Sequence, residues 1–207
     1  MSEPTYKTKQ FSLEKELKGI SVKTNQEHYK LYSGYVNKWN EIIDKLKTSD
    51  KSKAAGTYSE FSELKRQETF NANGTLLHDI FFSSLWGDGV PRGEVVKKIE
   101  ADYGSFENWR ADLVATAVSA RGWAVTALVL PSDRLHNFLV DFHNQGAVWN
   151  TVPIIALDVF EHAYYLDYQT NRKAYLEAFF QNLDWGYVEK RYQFAKRAAE
   201  LYASQGL

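Results

Sequence analysis

The chain has 207 residues, 44% hydrophobic and 25% charged, with a formal net charge of -1 at pH 7. These values describe an ordinary soluble globular protein, one sizeable domain or two small ones sharing a core, and give no reason to expect a nucleic acid or a membrane surface as partner. The absence of cysteine excludes disulfides, thiolate catalysis and cysteine-ligated zinc or iron–sulfur sites. Residues 1–10 are polar and charged, without the apolar core of a signal peptide, and no apolar run approaches the roughly 20 residues of a membrane span. A cytoplasmic location is the expectation. Aromatic residues reach 15%, with 6 Trp, 13 Tyr and 12 Phe; such rings fill a core, and they also wall a small polar site off from water.

In chain order, residues 1–10 read as frayed and 12–20 as a turn of helix. From Asn25 to about Leu46, Tyr32, Tyr35, Val36, Trp39, Ile42, Ile43 and Leu46 recur near three- and four-residue spacing, which predicts a helix. The polar stretch 47–56 leads into a second helical segment, roughly 58–85. Two long helices on a short polar link predict an antiparallel hairpin. The Gly/Pro break at 86–92 (WGDGVPR) divides the chain into an N-terminal domain, 1–88, and a C-terminal one, 89–207. Helices are expected over 93–102 and 105–119, the second capped by Ser105. WAVTALVL (123–130) and HNFLVDFH (136–143) flank the turn sequence PSDR and predict a β-hairpin, with VPIIALDVF (152–160) as a third strand. Helices at 171–182 and 185–203 complete the chain. The fold class is α+β: a helical hairpin followed by helices around a three-stranded antiparallel sheet.

The chemistry concentrates on histidine and aspartate. Of His28, His78, His136, His143 and His162, the last stands four residues after Asp158 at the end of an apolar strand. A carboxylate buried beside Ile154, Ile155 and Leu157 is costly unless its charge is matched. A metal ion would match it; capping of a following turn is the simpler alternative. The chain has no phosphate-binding loop, GxGxxG, HExxH, GxSxG or paired ExxH. A metal site would therefore be mononuclear, and imidazole plus carboxylate suits iron, manganese or zinc.

The segment DVFEHAYYLDY (158–168) closely resembles the DxWEHAYYxxY signature of iron/manganese superoxide dismutases, and the resemblance runs from about residue 20 to about residue 192. HY…YVNKWN (28–40) and FNANGTLLH (70–78) resemble that family's two ligand helices, while YGSFENWR (103–110), RGWAVTALV (121–129) and NRKAYLEAFFQNLDW (171–185) resemble its later stretches. The resemblance implies one iron or manganese ion on His28, His78, Asp158 and His162, with a water or hydroxide as fifth ligand and superoxide as substrate. It implies that Gln145 bonds the metal-bound solvent, Tyr35 is the gateway tyrosine of the proton path and Trp123 walls the site. It also implies that Arg172 draws the anion in at the mouth. Glu161 resembles the residue that crosses a dimer interface to His162 of the partner subunit, and Tyr165 belongs to the same interface, so a homodimer or higher homo-oligomer is expected. Gly74 together with a sheet-side Gln145 leans towards manganese or dual use.

Several positions depart from the family pattern. His28 and Tyr35 are seven residues apart, one fewer than is usual, and the two intervening histidines are missing. Seven residues place both side chains on one face of a regular α-helix, whereas the longer spacing needs a π-bulge; an unbroken α-helix is therefore expected, with Tyr32 in place of the missing gateway histidine. An ungapped alignment instead puts Glu27 in the first ligand position. Thr75, Phe82 and Phe160 replace the family's usual His, Trp and Trp, and the short loop at Gln145 leaves His143 or Asn144 as alternatives to it. Another mononuclear iron enzyme, or a relative that has lost turnover, are the competing readings.

Overall fold

A computed structural model describes residues 6–206. Helix α1 (Val22–Thr48) begins where the Ser21 side chain accepts the Thr24 N–H, and α2 (Glu60–Ser83) where Ser59 accepts from Ser62. A 3-10 turn at Lys51–Lys53 lies in the link between them. The helices run antiparallel: His28 meets His78 and Phe82, and one end further along Tyr35 meets Phe70. Helix α1 is α-helical throughout its 27 residues, as the seven-residue spacing requires.

Helices α3 (Glu94–Tyr103) and α4 (Phe106–Ser119) lead into strands β1 (Trp123–Val129), β2 (Arg134–Val140) and β3 (Thr151–Asp158). The sheet is antiparallel in the order β2-β1-β3, so the hairpin's first strand is central and almost wholly buried. From α4, the buried Trp109 indole donates to Thr126 Oγ1 on β1 (3.2 Å). Helix α2 also packs on β3, which brings the two halves together. A 3-10 turn at Glu161–Ala163 and the short helix α5 (Tyr165–Tyr168) follow β3, then α6 (Arg172–Gln181) and α7 (Trp185–Ser204). The α+β architecture, hairpin first and sheet second, is the one expected.

The N-terminal stretch differs from expectation. Residues 1–5 of the segment read as frayed lie outside the described residues, but 6–10 are anchored, with the Tyr6 ring stacked on Trp39 at 3.8 Å. Residues 12–20 form no helix. They make a turn near 13–15 and a small antiparallel bridge between Leu17 and Ile20, because Phe11, Leu17 and Ile20 bury their side chains one at a time against the core rather than along one helical face. No helix among the described residues is long and apolar enough to cross a membrane.

Candidate metal centre

Four segments deliver one polar side chain each to a buried point between α1, α2 and the end of β3. His28 and His78 come from facing positions on the hairpin, Asp158 is the last residue of β3, and His162 lies in the 3-10 turn after it. The Nε2 atoms of His28, His162 and His78 stand 3.1, 3.2 and 3.4 Å from the same Asp158 oxygen, Oδ2. All four donor atoms lie within 4.8 Å of one another. His28, His78 and Asp158 are buried, with relative exposures of 1%, 0% and 0%, while the His162 side chain is 24% exposed.

The surroundings fix these donors. His78 Nδ1 is held by the Gly74 carbonyl (2.6 Å), which turns Nε2 inward. Asp158 Oδ1 accepts the Phe160 N–H (2.9 Å), so Oδ2 faces the histidines, and the Tyr175 hydroxyl donates to the Asp158 carbonyl oxygen (2.8 Å). Burial pushes the His28 and His78 imidazoles below their ordinary pKa, His78 far below, so both are neutral near pH 7. Burial by itself would raise the Asp158 pKa, but electrostatic attraction to His162 and the hydrogen bonds with His162 and His28 outweigh it and hold the carboxyl ionised.

This donor set fits a metal ion. His78 Nε2 is buried without a hydrogen-bond partner, and leaving such an atom unsatisfied costs about 1–3 kcal/mol. Two donors bound at about 2.1 Å to one ion at angles of roughly 90–110° stand about 3.0–3.4 Å apart, which is the spacing from Asp158 to the three imidazoles. Three imidazoles and one carboxylate suit iron, manganese or zinc. Glu27 is outside the cluster: its carboxylate pairs with Lys23 (2.5 Å) and Lys30 (2.9 Å) on the outer face of α1. His136 is exposed on β2.

Around the cluster the aromatic residues form a wall. Trp123 meets His78 edge-to-face at 4.9 Å, and Tyr35 lies 5.2 Å from the same ring. The Tyr35 hydroxyl makes no hydrogen bond among the described residues, and burial with the nearby Asp158 charge pushes its pKa up to about 12. Phe81, Phe82, Phe70 and Phe160 close the remaining sides.

Three expected site residues sit elsewhere than foreseen. Gln145 is exposed, and its backbone N–H closes a turn onto Phe142. His143 occupies the interior position instead. It is 1% exposed, accepts the Trp123 indole N–H at Nδ1 (3.0 Å) and lies 4.6 Å from the Tyr35 ring. Burial lowers its pKa to about 4. Tyr32 is buried beside His78, yet its hydroxyl points away from the cluster: it donates to Asp79 and accepts the Lys9 N–H. The helical pitch that puts Tyr32 one turn after His28 also aims it at α2 and the N-terminal stretch. Arg172 donates from Nε to the Tyr164 hydroxyl (3.1 Å) and from a terminal nitrogen to the carbonyls of Ala117, Val118 and Ala120. It caps the C-terminus of α4, where a cation is favourable. Glu161 and Tyr165 are exposed beside His162.

The sequence reading passed over Tyr175. It lies within the family-like segment 171–185, but its place in α6 beneath the end of β3 is set by tertiary packing.

Comparison with known proteins accords with this geometry. Residues 13–86 match the α-hairpin domain of iron/manganese superoxide dismutases and residues 91–191 their C-terminal domain. An iron superoxide dismutase of Aquifex aeolicus is 42% identical over 190 residues, covering 89% of each chain. A manganese superoxide dismutase of Halobacterium salinarum is 38% identical over 175 residues, covering 82% of this chain and 84% of its own. The two domain matches between them span most of the chain, and the chain belongs to the iron/manganese superoxide dismutase family.

Proposed function

We propose that this chain converts superoxide to dioxygen and hydrogen peroxide at one iron or manganese ion held by His28, His78, Asp158 and His162, with His143 and Tyr35 as the groups that handle protons. The observation that carries the reading is the convergence of three imidazoles on Asp158 Oδ2 with the His78 Nε2 left unpartnered. A bound iron or manganese ion supplies the one-electron chemistry, one superoxide being oxidised and a second reduced. The second also takes up two protons, and these the protein must route.

The Trp123 N–H occupies His143 Nδ1, so the neutral ring carries its proton on Nε2. Its depressed pKa keeps it neutral at physiological pH, a fixed donor beside Tyr35. In this reading His143 takes the solvent-bonding part first expected of Gln145. The Tyr35 hydroxyl stays protonated below about pH 12 and is free to bond an incoming anion or water. Trp123 both orients His143 and packs on His78. Arg172 supports the site from behind: it holds Tyr164, which stacks on Tyr175 at 5.2 Å, and Tyr175 bonds the Asp158 backbone.

The same reading makes the protein a homodimer or higher homo-oligomer. In that reading the exposed Glu161 bonds His162 Nδ1 of a second copy, an atom with no hydrogen-bond partner among the described residues. The division into domains 1–88 and 89–207 is supported by the two family segments that flank it, and a chain without cysteine suits the reducing cytoplasm. Because relatives include both iron and manganese enzymes, we read the site as accepting either.

The test is metal analysis and superoxide turnover on protein loaded separately with iron and with manganese. Stoichiometric metal and turnover with both supports dual use, turnover with one alone fixes the preference, and metal without turnover in either form overturns the function.

A further inference from the structure

One side chain links all three segments that meet behind the metal centre. Asp79 directly follows His78 on α2 and accepts the Tyr32 hydroxyl from α1 at Oδ1. Its other oxygen pairs with Lys9 Nζ at 3.0 Å. Lys9 closes the triangle: its backbone N–H donates to the Tyr32 hydroxyl (3.0 Å), and its carbonyl accepts the Tyr29 hydroxyl (2.8 Å).

The stretch carrying Lys9 runs as a strap along the hairpin. Ahead of Lys9, the Tyr6 N–H and carbonyl pair with the Asn40 side chain (3.0 and 2.8 Å). Behind it, Phe11 packs on Phe82 at 5.3 Å and on Tyr32 at 6.1 Å. At the far end the Trp86 indole donates to the Lys15 carbonyl (3.3 Å).

Tyr32 is fully buried, its ring 6.3 Å from that of His78 and one helical turn beyond His28. The Lys9–Asp79 pair is half-exposed on the lysine side, and exposed ion pairs hold little by themselves. The hydroxyl–carboxylate bond to a buried ring is the stronger part, being charge-assisted and shielded. We infer that Asp79 is a positioning residue which, by gripping Tyr32 and Lys9, locks the 6–20 strap over both ligand helices and so sets how fast the centre exchanges its metal with solution. Opening the strap frees α1 and α2 to part at the level of His28 and His78, the two buried donors that these helices carry.

The inference rests on the metal-centre reading, and the experiment separates the two. Wild type, Asp79→Asn and Tyr32→Phe are loaded with manganese, and metal release to excess EDTA is followed at pH 7. Hydrogen exchange of 6–20 is measured on the metal-free proteins. Both variants are expected to release metal about tenfold faster and to lose protection in the strap, with turnover per bound metal unchanged. Their effects combined in one protein should sum to less than the two taken singly, since both weaken the Tyr32–Asp79 bond. Glu189→Gln, which weakens the charge-assisted cap on α3 away from the strap, controls for global destabilisation.

Equal release from wild type and both variants overturns the inference, as does equally fast release from Glu189→Gln at matched urea midpoint. If Asp79→Asn does not fold, the nearly isosteric Tyr32→Phe carries the test. A wild type that binds no metal sinks the metal reading instead, while strap exchange still decides whether Asp79 holds the latch.

Discussion

Trp123 and Asp158 are direct Cα partners across the antiparallel β1–β3 ladder. Their pairing brings the carboxylate that gathers three imidazoles next to the indole that packs on His78. Side chains alternate along a strand, so a slip of one residue would turn Asp158 to the other face and dismantle the centre. A register shift lies between Thr126 and Ala127, opposite Ile155 and Pro153. Pro153 has no N–H for the ladder, and the Arg191 guanidinium on α7 claims its carbonyl (Nε to O, 3.1 Å). Arg191→Met should therefore loosen β3 as well as cost stability, by about 1–3 kcal/mol for the unsatisfied carbonyl. Urea unfolding gives the stability, and faster amide exchange across 151–158 distinguishes loss of register control from simple destabilisation.

Asp158→Asn tests the charge rather than the shape of the centre. The amide keeps the size of the carboxyl group but supplies no negative charge to offset a cation among three imidazoles. Metal affinity should fall by at least about 100-fold, since even outer groups that merely orient ligands are worth about 10–100-fold. Metal content after dialysis measures it. A variant that retains stoichiometric metal would show that the histidines suffice.

His143 and Gln145 make a paired prediction because the fold treats them oppositely. His143→Ala leaves the Trp123 indole N–H buried and unpartnered, a loss of about 1–3 kcal/mol, and should cut turnover at least tenfold. Gln145→Ala changes an exposed side chain, and should stay within about 0.5 kcal/mol of wild type with turnover unchanged. Parallel assays decide between them; loss of activity only in Gln145→Ala would return the solvent-bonding part to the residue the family resemblance first suggested.

That pair also marks where the sequence stops being informative. Asp158 is legible because an aspartate inside an apolar strand demands compensation, and His162 because it follows at a spacing that converges on the same point. His28 and His78 become legible through the helical patterns and the family resemblance together. The choice between His143 and Gln145 turns on the path of a short turn, the Phe142–Gln145 bridge, and no periodicity encodes it. Helical pitch likewise fixes the side of α1 that Tyr32 occupies, but the direction of its hydroxyl depends on Asp79 and on a strap whose polar sequence hides its anchorage. The strap is held by isolated aromatics and backbone hydrogen bonds, which leave no repeating signal.

Gly74 is required where α2 passes the proton-handling pair. A Cβ there would stand 2.9 Å from Tyr35 Cγ and 3.3 Å from His143 Cδ2. Neither ring has room to yield, since His143 is tied to Trp123 and Tyr35 packs on Phe70. Gly74→Ala should destabilise the protein by about 1–3 kcal/mol through overpacking despite alanine's better helix propensity. It should also lower turnover while leaving metal content intact, because the ligands themselves do not move. Thermal unfolding and metal-normalised turnover read the two effects separately.

The metal-free protein should weaken in acid. The folded-state pKa of His143 is lowered from 6.5 to about 4, and burial lowers His28 and His78 as well. A depressed histidine pKa means that the unfolded chain takes up the proton first. Stability from these groups is therefore fully present above about pH 6.5 and is lost as pH falls towards the folded value. For His143 alone the loss between pH 6.5 and 4 is about 3 kcal/mol. Urea midpoints of the metal-free protein across that interval measure it, and His143→Gln, which cannot titrate, should flatten part of the slope. The loaded protein should resist until protons compete for the ligand nitrogens, so its profile lies to the acid side of the metal-free one. Coincident profiles with and without manganese would show that metal binding and folding are not coupled through these histidines.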